Sequence, residues 1–358
     1  MFFLFIYLTM DYYPSATNTA TTTTGTGTGT GTTVVLETTH GFPNKNVTAS
    51  NVSSLKKSNK TSNNNTTTTT IASSTLAHIL INEIKRIYHG LASSRSLEPS
   101  DSINTLFSEL VDLCISHRDP DLARIVLKDP KIQKLTPHLR SLCATGEYLL
   151  ERQWANKLIT PSYDISEFTY ANNYRLLVRL ELHALLGIGA NLSHMIFIGS
   201  GPLPLSSMEF LWQSSSSNNN NNNKEEGRGI QRIDNIDKSQ EAIDVSRKLA
   251  MKYGLQDKMK FYAQDALEDF EGYKKADVVM LGALVGADNR EKKEFLCHII
   301  NKMKSGAILM VRSSNCLREL LYSNTCRLVL EDNNGLEPLV EIHPQNEVVN
   351  SVLLAQKI

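Results

Sequence analysis

The 358-residue sequence predicts an α/β domain built on a mostly parallel sheet and preceded by an all-helical region. In the C-terminal half, short continuous apolar runs alternate with helical patterns, notably over 239–253 and 290–303. Strands that alternate with helices are typical of a parallel sheet covered by helices on both faces. In the preceding part of the chain, apolar residues recur at helical spacing, which predicts packed helices.

Residues 1–75 begin with an apolar stretch and continue as a tail rich in Thr, Asn, Ser and Gly. The apolar residues 1–8 are too few to span a bilayer and no Lys or Arg precedes them, so a secretion signal is the weaker interpretation. The polar remainder cannot bury enough apolar surface to offset its ordering entropy, which predicts a disordered tail.

The helical region is predicted over 76–190. An apolar repeat at helical spacing runs from Leu76 to Leu91, and a second helix is predicted with Ser100 or Asp101 as its N-cap. Further helical patterns cover 120–128, 136–156 and 170–187.

The α/β domain is predicted over 191–358, with strands at 195–198, 230–233, 259–262, 278–281 and 308–311. Residues 327–331 and 348–355 are predicted to close the sheet as further strands, in an antiparallel pair. A run of Ser and Asn within 214–227 is predicted to be a surface-loop insertion, since loop closure costs little.

Composition narrows the classes of partner. Lys plus Arg equals Asp plus Glu at 37 each, so no net charge draws in nucleic acid or a membrane surface. The five Cys residues are far apart and form no C-x-x-C pair, which argues against a zinc site and fits a reducing, cytoplasmic location. The sequence therefore predicts a small-molecule substrate and no metal site, and leaves the oligomeric state open.

A candidate nucleoside site follows the first predicted strand. Gly199, Ser200, Gly201 and Pro202 form a turn in which glycine lets the backbone approach a ligand closely. In open α/β sheets, ligands bind at the carboxyl ends of the strands. A lone G-x-G is weak support, because many such matches are plain turns.

Residues after the next strands strengthen this prediction. Asp237 ends the second strand, where a carboxylate accepts hydrogen bonds from ribose hydroxyls, and Asp234 is the rival candidate. Asp265 follows the third strand, where a carboxylate suits the exocyclic amine of adenine. Ala283 and Leu284 follow the fourth strand and are predicted to line the cavity. Each Asp also has a plainer interpretation as a helix cap or a turn residue.

The same residues favour S-adenosylmethionine over a dinucleotide. Pro204 stands at the third glycine position of G-x-G-x-x-G, so a pyrophosphate-binding turn is poorly matched. S-adenosylmethionine carries no phosphate and needs no such turn.

The string 198–207, Ile-Gly-Ser-Gly-Pro-Leu-Pro-Leu-Ser-Ser, resembles the signature of the nicotianamine synthase family. So does 277–286, Asp-Val-Val-Met-Leu-Gly-Ala-Leu-Val-Gly. Shorter likenesses occur at 96–100, 146–151, 172–174, 306–313, 343–344 and 350–352. The resemblance covers about 76–358, essentially the whole predicted ordered chain.

The resemblance implies a Rossmann-like fold, similar to class I methyltransferases, with a helical domain closing over the pocket as a lid. It implies a transferase that condenses three S-adenosylmethionine molecules by moving 3-amino-3-carboxypropyl groups onto an amine. Each transfer releases 5′-methylthioadenosine, and a final ring closure gives the azetidine of nicotianamine, a chelator of Fe, Zn, Cu and Ni used in metal ion homeostasis.

The resemblance also implies roles for individual residues. Glu147 is expected to anchor or deprotonate the attacking amine, beside Tyr174 and with Tyr170 as a further partner. Arg312 or Arg318, after the fifth strand, is expected to pair with a substrate carboxylate, because Arg forms bidentate contacts. From the residues alone, a solvent-facing helical position is the favoured interpretation of Glu147, Tyr174 is equally readable as a packing residue, and a surface salt bridge explains either arginine as well as a substrate contact does.

Some residues depart from the family pattern. Asn315, Cys316 and Leu317 stand where plant members usually carry His-Gly-Ala, and Ser239 replaces a second acidic residue in the turn after strand two. These departures leave the predicted cofactor site intact, but they leave open the shape of the substrate and which amine accepts the transferred group. Two alternatives therefore stay open: a small-molecule methyltransferase, or a synthase of another opine-like metallophore. A non-catalytic ligand-binding protein is a third.

Overall fold

The computed structural model describes residues 64–217, 229–286, 288–331 and 335–358. Five helices come first, and strands then alternate with helices. The leading helices are α1 (Asn64–Ala92), α2 (Asp101–Ser116), α3 (Pro120–Lys128), α4 (Pro130–Ile159) and α5 (Ala171–Gly187). The alternating part comprises β1 (His194–Ile198), α6 (Leu205–Ser217), β2 (Arg232–Asp237), α7 (Gln240–Lys252), β3 (Met259–Ala263), β4 (Val278–Leu281), α8 (Asn289–Lys302), β5 (Ile308–Ser313), α9 (Thr325–Glu331), β6 (Leu336–Ile342) and β7 (Ser351–Lys357).

The strands form one seven-stranded sheet in the order β3-β2-β1-β4-β5-β7-β6. Strands β1 to β5 are parallel, whereas β7 runs antiparallel to both β5 and β6. The strand order reverses at β1, where β2 pairs on one side and β4 on the other. Ligands of open α/β sheets bind at such a switch point, outside the carboxyl ends of the strands. The predicted fold class is confirmed.

Local sequence explains why the helices begin where they do. Ser100 caps α2 by accepting from the Ile103 amide at 3.4 Å, so Ser100 and not Asp101 is the cap. Asp119 and Asp129 cap α3 and α4, and each is followed by a proline at the first helical position. A proline there loses no helical hydrogen bond, because that N–H has no partner within the helix.

Two apolar clusters join the helices to the sheet. One packs α1 to α4 against the chain after β5, and it includes Leu110, Cys143, Leu317 and Tyr322. The other packs α5 against one face of the sheet. Residues 68–358 belong to one compact unit, so the helices rest on the carboxyl-terminal side of β5. No helix of the described residues is both long and apolar enough to cross a membrane.

Several segments differ from the predicted boundaries. The second strand is Arg232–Asp237 rather than 230–233, and the antiparallel partner of β7 is β6, which no predicted strand covers. Residues 327–331, predicted as a strand, lie in helix α9. Arg327 and Leu330 are exposed whereas Leu328 and Val329 are buried, which is a helical period and not alternation. Helix α6 continues to Ser217, so the predicted loop insertion does not begin at 214, and its remainder from 218 to 227 lies outside the described residues. Helix α1 begins at Asn64, earlier than the predicted start at 76; the rest of the predicted tail, 1–63, is also outside them.

Candidate active site

The turn after β1 has a shape that requires glycine. Gly199 and Gly201 have φ values of +76° and +68°, in the left-handed region that side chains disfavour. The amides of Gly199 and Ser200 donate to the Ile236 carbonyl at 2.8 and 3.2 Å. Pro202 is buried directly after this turn. The backbone is therefore held at the carboxyl end of β1, where the sequence predicts a ligand.

Asp237 lies against this turn, and Asp234 does not. The Asp237 carboxylate accepts from the Gly201 amide at 2.9 Å and from the Ser239 amide at 2.9 Å. Asp234 lies inside β2, fully buried, where it pairs with Arg232 at 2.6 Å and His194 at 2.8 Å. Of the two candidates, only Asp237 is at the strand end beside the glycines.

The loops after β3 and β4 hold the other predicted nucleoside contacts. Asp265 is exposed, and its carboxylate accepts from the Leu267 amide at 2.9 Å. Ala283 is buried and Leu284 half-buried, in the turn that follows β4. The Gly282 amide donates to the Ile198 carbonyl at 3.0 Å, which ties this turn to the end of β1.

A buried lysine from α8 holds the turn after β4. Nζ of Lys292 donates to the carbonyls of Ala283 and Val285 at 2.7 and 2.6 Å. Val285 in turn covers Gly199: its Cγ2 lies 2.5 Å from the point where a Cβ on Gly199 would stand. Burial lowers the pKa of Lys292 to about 7, because the interior disfavours the charged amine.

A carboxylate from helix α4 reaches the glycine turn from above. Oε2 of Glu151 lies 2.6 Å from the point where a Cβ on Gly201 would stand. Oε1 of Glu151 accepts a short hydrogen bond from the Tyr174 hydroxyl on α5. Helices α4 and α5 thus bring a glutamate and a tyrosine to the turn after β1.

Glu147 lies one helical turn before Glu151 and contacts a different tyrosine. Its Oε2 accepts from the Tyr322 hydroxyl at 3.2 Å, and both side chains are buried. Tyr170 is also buried, and its ring packs edge-on against Phe168 with centroids 5.3 Å apart. Tyr174 packs on Phe168 as well, at 6.1 Å, so the two predicted tyrosines share one aromatic neighbour.

Burial shifts the pKa values of Glu151 and of the two tyrosines, Tyr174 and Tyr322. The pKa of the Glu151 carboxyl is raised chiefly by desolvation, against which the Tyr174 hydrogen bond acts. Desolvation also raises the pKa values of Tyr174 and Tyr322 well above the usual range, so both phenols stay protonated at neutral pH. Each phenol can therefore donate to a carboxylate, and Glu151 is a stronger base than an exposed glutamate.

The two predicted arginines are engaged within the protein. Arg312 is buried and makes a two-pronged ion pair with Glu181 of α5, with N–O distances of 2.6 and 2.7 Å. Its third nitrogen donates to the Ser206 hydroxyl at 3.0 Å. Arg318 donates to the carbonyls of Pro344 and Asn346, each at 3.1 Å. The guanidinium groups of both arginines are thus held in place by protein groups.

Sequence reasoning missed Glu151, Tyr322, Glu181 and Lys292. Glu151 carries a usable signal: it stands four residues after Glu147, which places both carboxylates on one face of a helix. Glu181 and Lys292 lie within ordinary amphipathic helix patterns, where a charged residue predicts an exposed face. Tyr322 lies in an apolar stretch and carries no signal of its own.

Within the described ranges, no group of three or more His, Cys, Asp or Glu side chains is arranged to hold a metal ion. The polar groups around the turn after β1 are carboxylates, phenols and backbone amides. Such groups suit hydrogen bonding to a nucleoside and proton exchange with an amine.

Comparison with known proteins identifies the family. A family model described as nicotianamine synthase protein matches residues 72–358. Nicotianamine synthase 2 of Arabidopsis thaliana is 31% identical over 292 residues, covering 78% of this chain and 84% of the relative. Nicotianamine synthase of Solanum lycopersicum is 31% identical over 286 residues with the same coverage. Nicotianamine synthase 9 of Hordeum vulgare is 32% identical over 284 residues, covering 78% of each chain.

Solved structures agree on the fold. The crystal structure of MtNAS in complex with MTA and tNA superposes with a TM-score of 0.60 at 21% identity, covering 77% of this chain and 97% of that one. A Glu-to-Gln mutant of MtNAS in complex with S-adenosylmethionine gives 0.61 at 20% identity with the same coverage. The family model and the sequence relatives show that this chain belongs to the nicotianamine synthase family.

Proposed function

We propose that this chain is a nicotianamine synthase, which condenses three S-adenosylmethionine molecules into nicotianamine and releases three molecules of 5′-methylthioadenosine. The observation that carries the proposal is the Glu151–Tyr174 pair, set directly against the glycine turn after β1. The relatives' names and the MtNAS complexes with S-adenosylmethionine and MTA support the same activity.

The nucleoside is assigned to the carboxyl ends of β1, β2 and β3. The backbone of the turn Gly199 to Pro202 would lie against the nucleoside. Asp237 would accept hydrogen bonds from the ribose hydroxyls, and Asp265 would accept one from the adenine amine. Ala283 and Leu284 would form the apolar wall after β4, on the turn that Lys292 holds.

The chemical step is attack of an amine nitrogen on Cγ of the aminocarboxypropyl arm. The N–Cγ bond forms, the Cγ–S bond breaks, and its electron pair leaves with sulfur as 5′-methylthioadenosine. An ammonium has no lone pair for this attack, so one proton must leave first. In this proposal Glu151 accepts that proton, because its raised pKa makes it a stronger base than an exposed glutamate. Tyr174 orients the Glu151 carboxylate through its hydrogen bond.

Glu147 is assigned to anchoring the acceptor's ammonium group. It lies on the same face of α4 as Glu151, and Tyr322 fixes one of its oxygens. Tyr170 is assigned to shaping the pocket beside Tyr174, through their shared contact with Phe168. By aligning the amine, Cγ and sulfur, such groups lower the activation free energy by about 7 kcal/mol or more.

Mass spectrometry of the purified protein given S-adenosylmethionine alone tests the activity. Nicotianamine requires no second substrate, so we expect nicotianamine and 5′-methylthioadenosine, in a ratio of one to three. S-adenosylhomocysteine as the by-product would show methyl transfer instead. An aminocarboxypropyl product other than nicotianamine would indicate a synthase of a different metallophore.

A further inference from the structure

A buried asparagine precedes the last strand. Val348 and Val352 both belong to the apolar cluster that contains Tyr174, Phe197 and Met310. Asn350 stands two residues from each of these valines and directly before Ser351, the first residue of β7. Its side chain is fully buried, at 0% exposure.

Among the described residues, the side-chain amide of Asn350 finds no hydrogen-bond partner. Neither Nδ2 nor Oδ1 makes a hydrogen bond within the residues that the structure describes. A buried amide normally satisfies its donors and its acceptor, because leaving them unpaired costs their full desolvation. Asn235 of β2 shows the usual case: its buried amide bonds the Ser207 hydroxyl at 2.6 Å and the Lys260 carbonyl at 3.3 Å.

The sheet register places Asn350 at the same edge of the sheet as the glycine turn. Val352 pairs with Arg312 in the β5–β7 ladder, so their side chains share a face. Asn350 lies further along, beyond the carboxyl end of β5. The neighbouring residue Val349 packs in the cluster that contains Tyr322, the partner of Glu147. Asn350 thus stands in the chain between Val349, which belongs to the cluster of Tyr322, and Ser351, which pairs with Ser313 at the end of β5.

This position is away from the proposed nucleoside site. β7 is separated from β1 by β4 and β5 in the strand order, and the glycine turn follows β1. A group bound at Asn350 is therefore not part of the adenosyl moiety. The acceptor of the proposed reaction carries α-amino-carboxylate groups, each with an ammonium donor and a carboxylate acceptor.

We propose that Asn350 is a substrate-binding residue that recognises an α-amino-carboxylate group of the acceptor, with Nδ2 donating to the carboxylate and Oδ1 accepting from the amine. The inference rests on the proposed function. It explains how a carboxylate is bound while Arg312 remains paired with Glu181 and Arg318 with backbone carbonyls. A neutral amide serves both ends of a zwitterion, which a guanidinium does not.

The test is the Asn350→Leu variant, in which a side chain of similar size has no polar atoms. We expect affinity for nicotianamine, measured by titration calorimetry, to fall at least about tenfold, the loss typical of one hydrogen bond to a charged group. Affinity for 5′-methylthioadenosine, which has no amino-carboxylate group, should stay within about twofold of wild type. Asn350→Val is a second, smaller variant should the leucine disturb folding.

The control compares the thermal stability of Asn350→Leu with that of Asn235→Leu. Asn235→Leu removes a buried amide that has protein partners, so its Tm should fall, whereas the Tm of Asn350→Leu should be unchanged or higher. Unchanged nicotianamine affinity in both Asn350 variants, or a Tm loss like that of Asn235→Leu, overturns the assignment. Should wild type form nicotianamine while those variants bind it normally, only this inference fails. Should wild type form none from S-adenosylmethionine, the proposed function fails, and the inference with it.

Discussion

The Tyr174 hydroxyl donates to Oε1 of Glu151, and the other oxygen of that carboxylate rests against the glycine turn at Gly201. A phenol from α5, a carboxylate from α4 and a turn from the sheet thus meet at one point. Burial raises the pKa of Glu151, and the hydrogen bond from Tyr174 opposes that rise. The predictions below follow from this contact and from the groups around it.

Glu151→Gln should lower product formation by about 100-fold or more, because the amide cannot take a proton. The matched control is Glu209→Gln on α6, whose carboxyl also has a pKa raised by burial but bonds Gln213 at 2.8 Å. Product formation in that variant should stay near wild type. Single-turnover formation of 5′-methylthioadenosine measures both. Equal activity of Glu151→Gln and wild type would remove Glu151 from proton transfer.

Glu151→Gln should also change stability with a defined pH dependence. A carboxyl whose folded pKa is raised binds more protons folded than unfolded, so its wild-type contribution weakens as pH rises above the unfolded value of about 4.3. We expect the variant to gain stability relative to wild type between pH 4 and pH 7. Urea unfolding across that range measures the difference, and a constant difference would contradict the raised pKa.

Tyr174→Phe should shift the acid limb of the pH–rate profile. The phenol stabilises the charged form of Glu151, so its loss raises the pKa of that carboxyl further. We expect the acid limb of kcat/KM to move to higher pH, with a fall of about tenfold near neutral pH, in line with one charge-assisted hydrogen bond. Tyr170→Phe, the comparison variant, should leave the position of that limb unchanged.

Gly201→Ala should weaken binding of S-adenosylmethionine and slow turnover together. Its φ of +68° strains any side chain by about 1–2 kcal/mol, and the new Cβ would also meet Oε2 of Glu151. Gly189→Ala is the control: its φ is +70°, yet nothing lies within 4 Å of its Cβ position. We expect both variants to lose a similar amount of Tm, because both positions strain a side chain. Only Gly201→Ala should also lose affinity for S-adenosylmethionine, because only there does the new Cβ meet Glu151.

Lys292→Met should remove a pH dependence of stability above neutrality. The pKa of Lys292 is about 7 in the folded protein and about 10.4 in an ordinary lysine. Between about pH 7 and pH 10.4 the unfolded chain therefore binds more protons at this residue than the folded chain does. Wild-type stability should therefore rise with pH from 7 to 10 relative to the variant, by up to about 1.4 kcal/mol per pH unit. Denaturation at several pH values checks this; parallel curves would contradict it.

Asp237→Ala should weaken S-adenosylmethionine binding by about 1–3 kcal/mol, because the carboxylate that we propose binds the ribose is lost together with its bond from the Gly201 amide. Asp234→Ala should instead lower stability, since Arg232 and His194 lose their shared partner. Calorimetric titration alongside thermal unfolding distinguishes the two. Loss of affinity in Asp234→Ala alone would reverse the assignment.

The sequence predicted the fold class because apolar runs alternate with helical patterns, and it predicted the glycine turn because the signature is contiguous. Residues 327–331 were predicted wrongly as a strand, since Leu, Val and Leu in a short run suit a buried strand and a buried helix alike. The Asp237 contact with Gly201 followed from strand position, whereas Tyr322 and Glu181 meet their partners across more than a hundred positions of chain. Pairings of that range leave no local pattern to read.

The groups at this site come from two halves of the chain: the turn after β1 and Asp237 from the sheet, Glu147, Glu151 and Tyr174 from the helices. If the proposed roles hold, substitutions on α4 and α5 away from Glu151 should change which amine is accepted and leave the nucleoside contacts of the sheet in place. Under the proposed function, α4, α5 and Asn350 are the places to redesign acceptor choice, and the ends of β1, β2 and β3 are the part to keep constant.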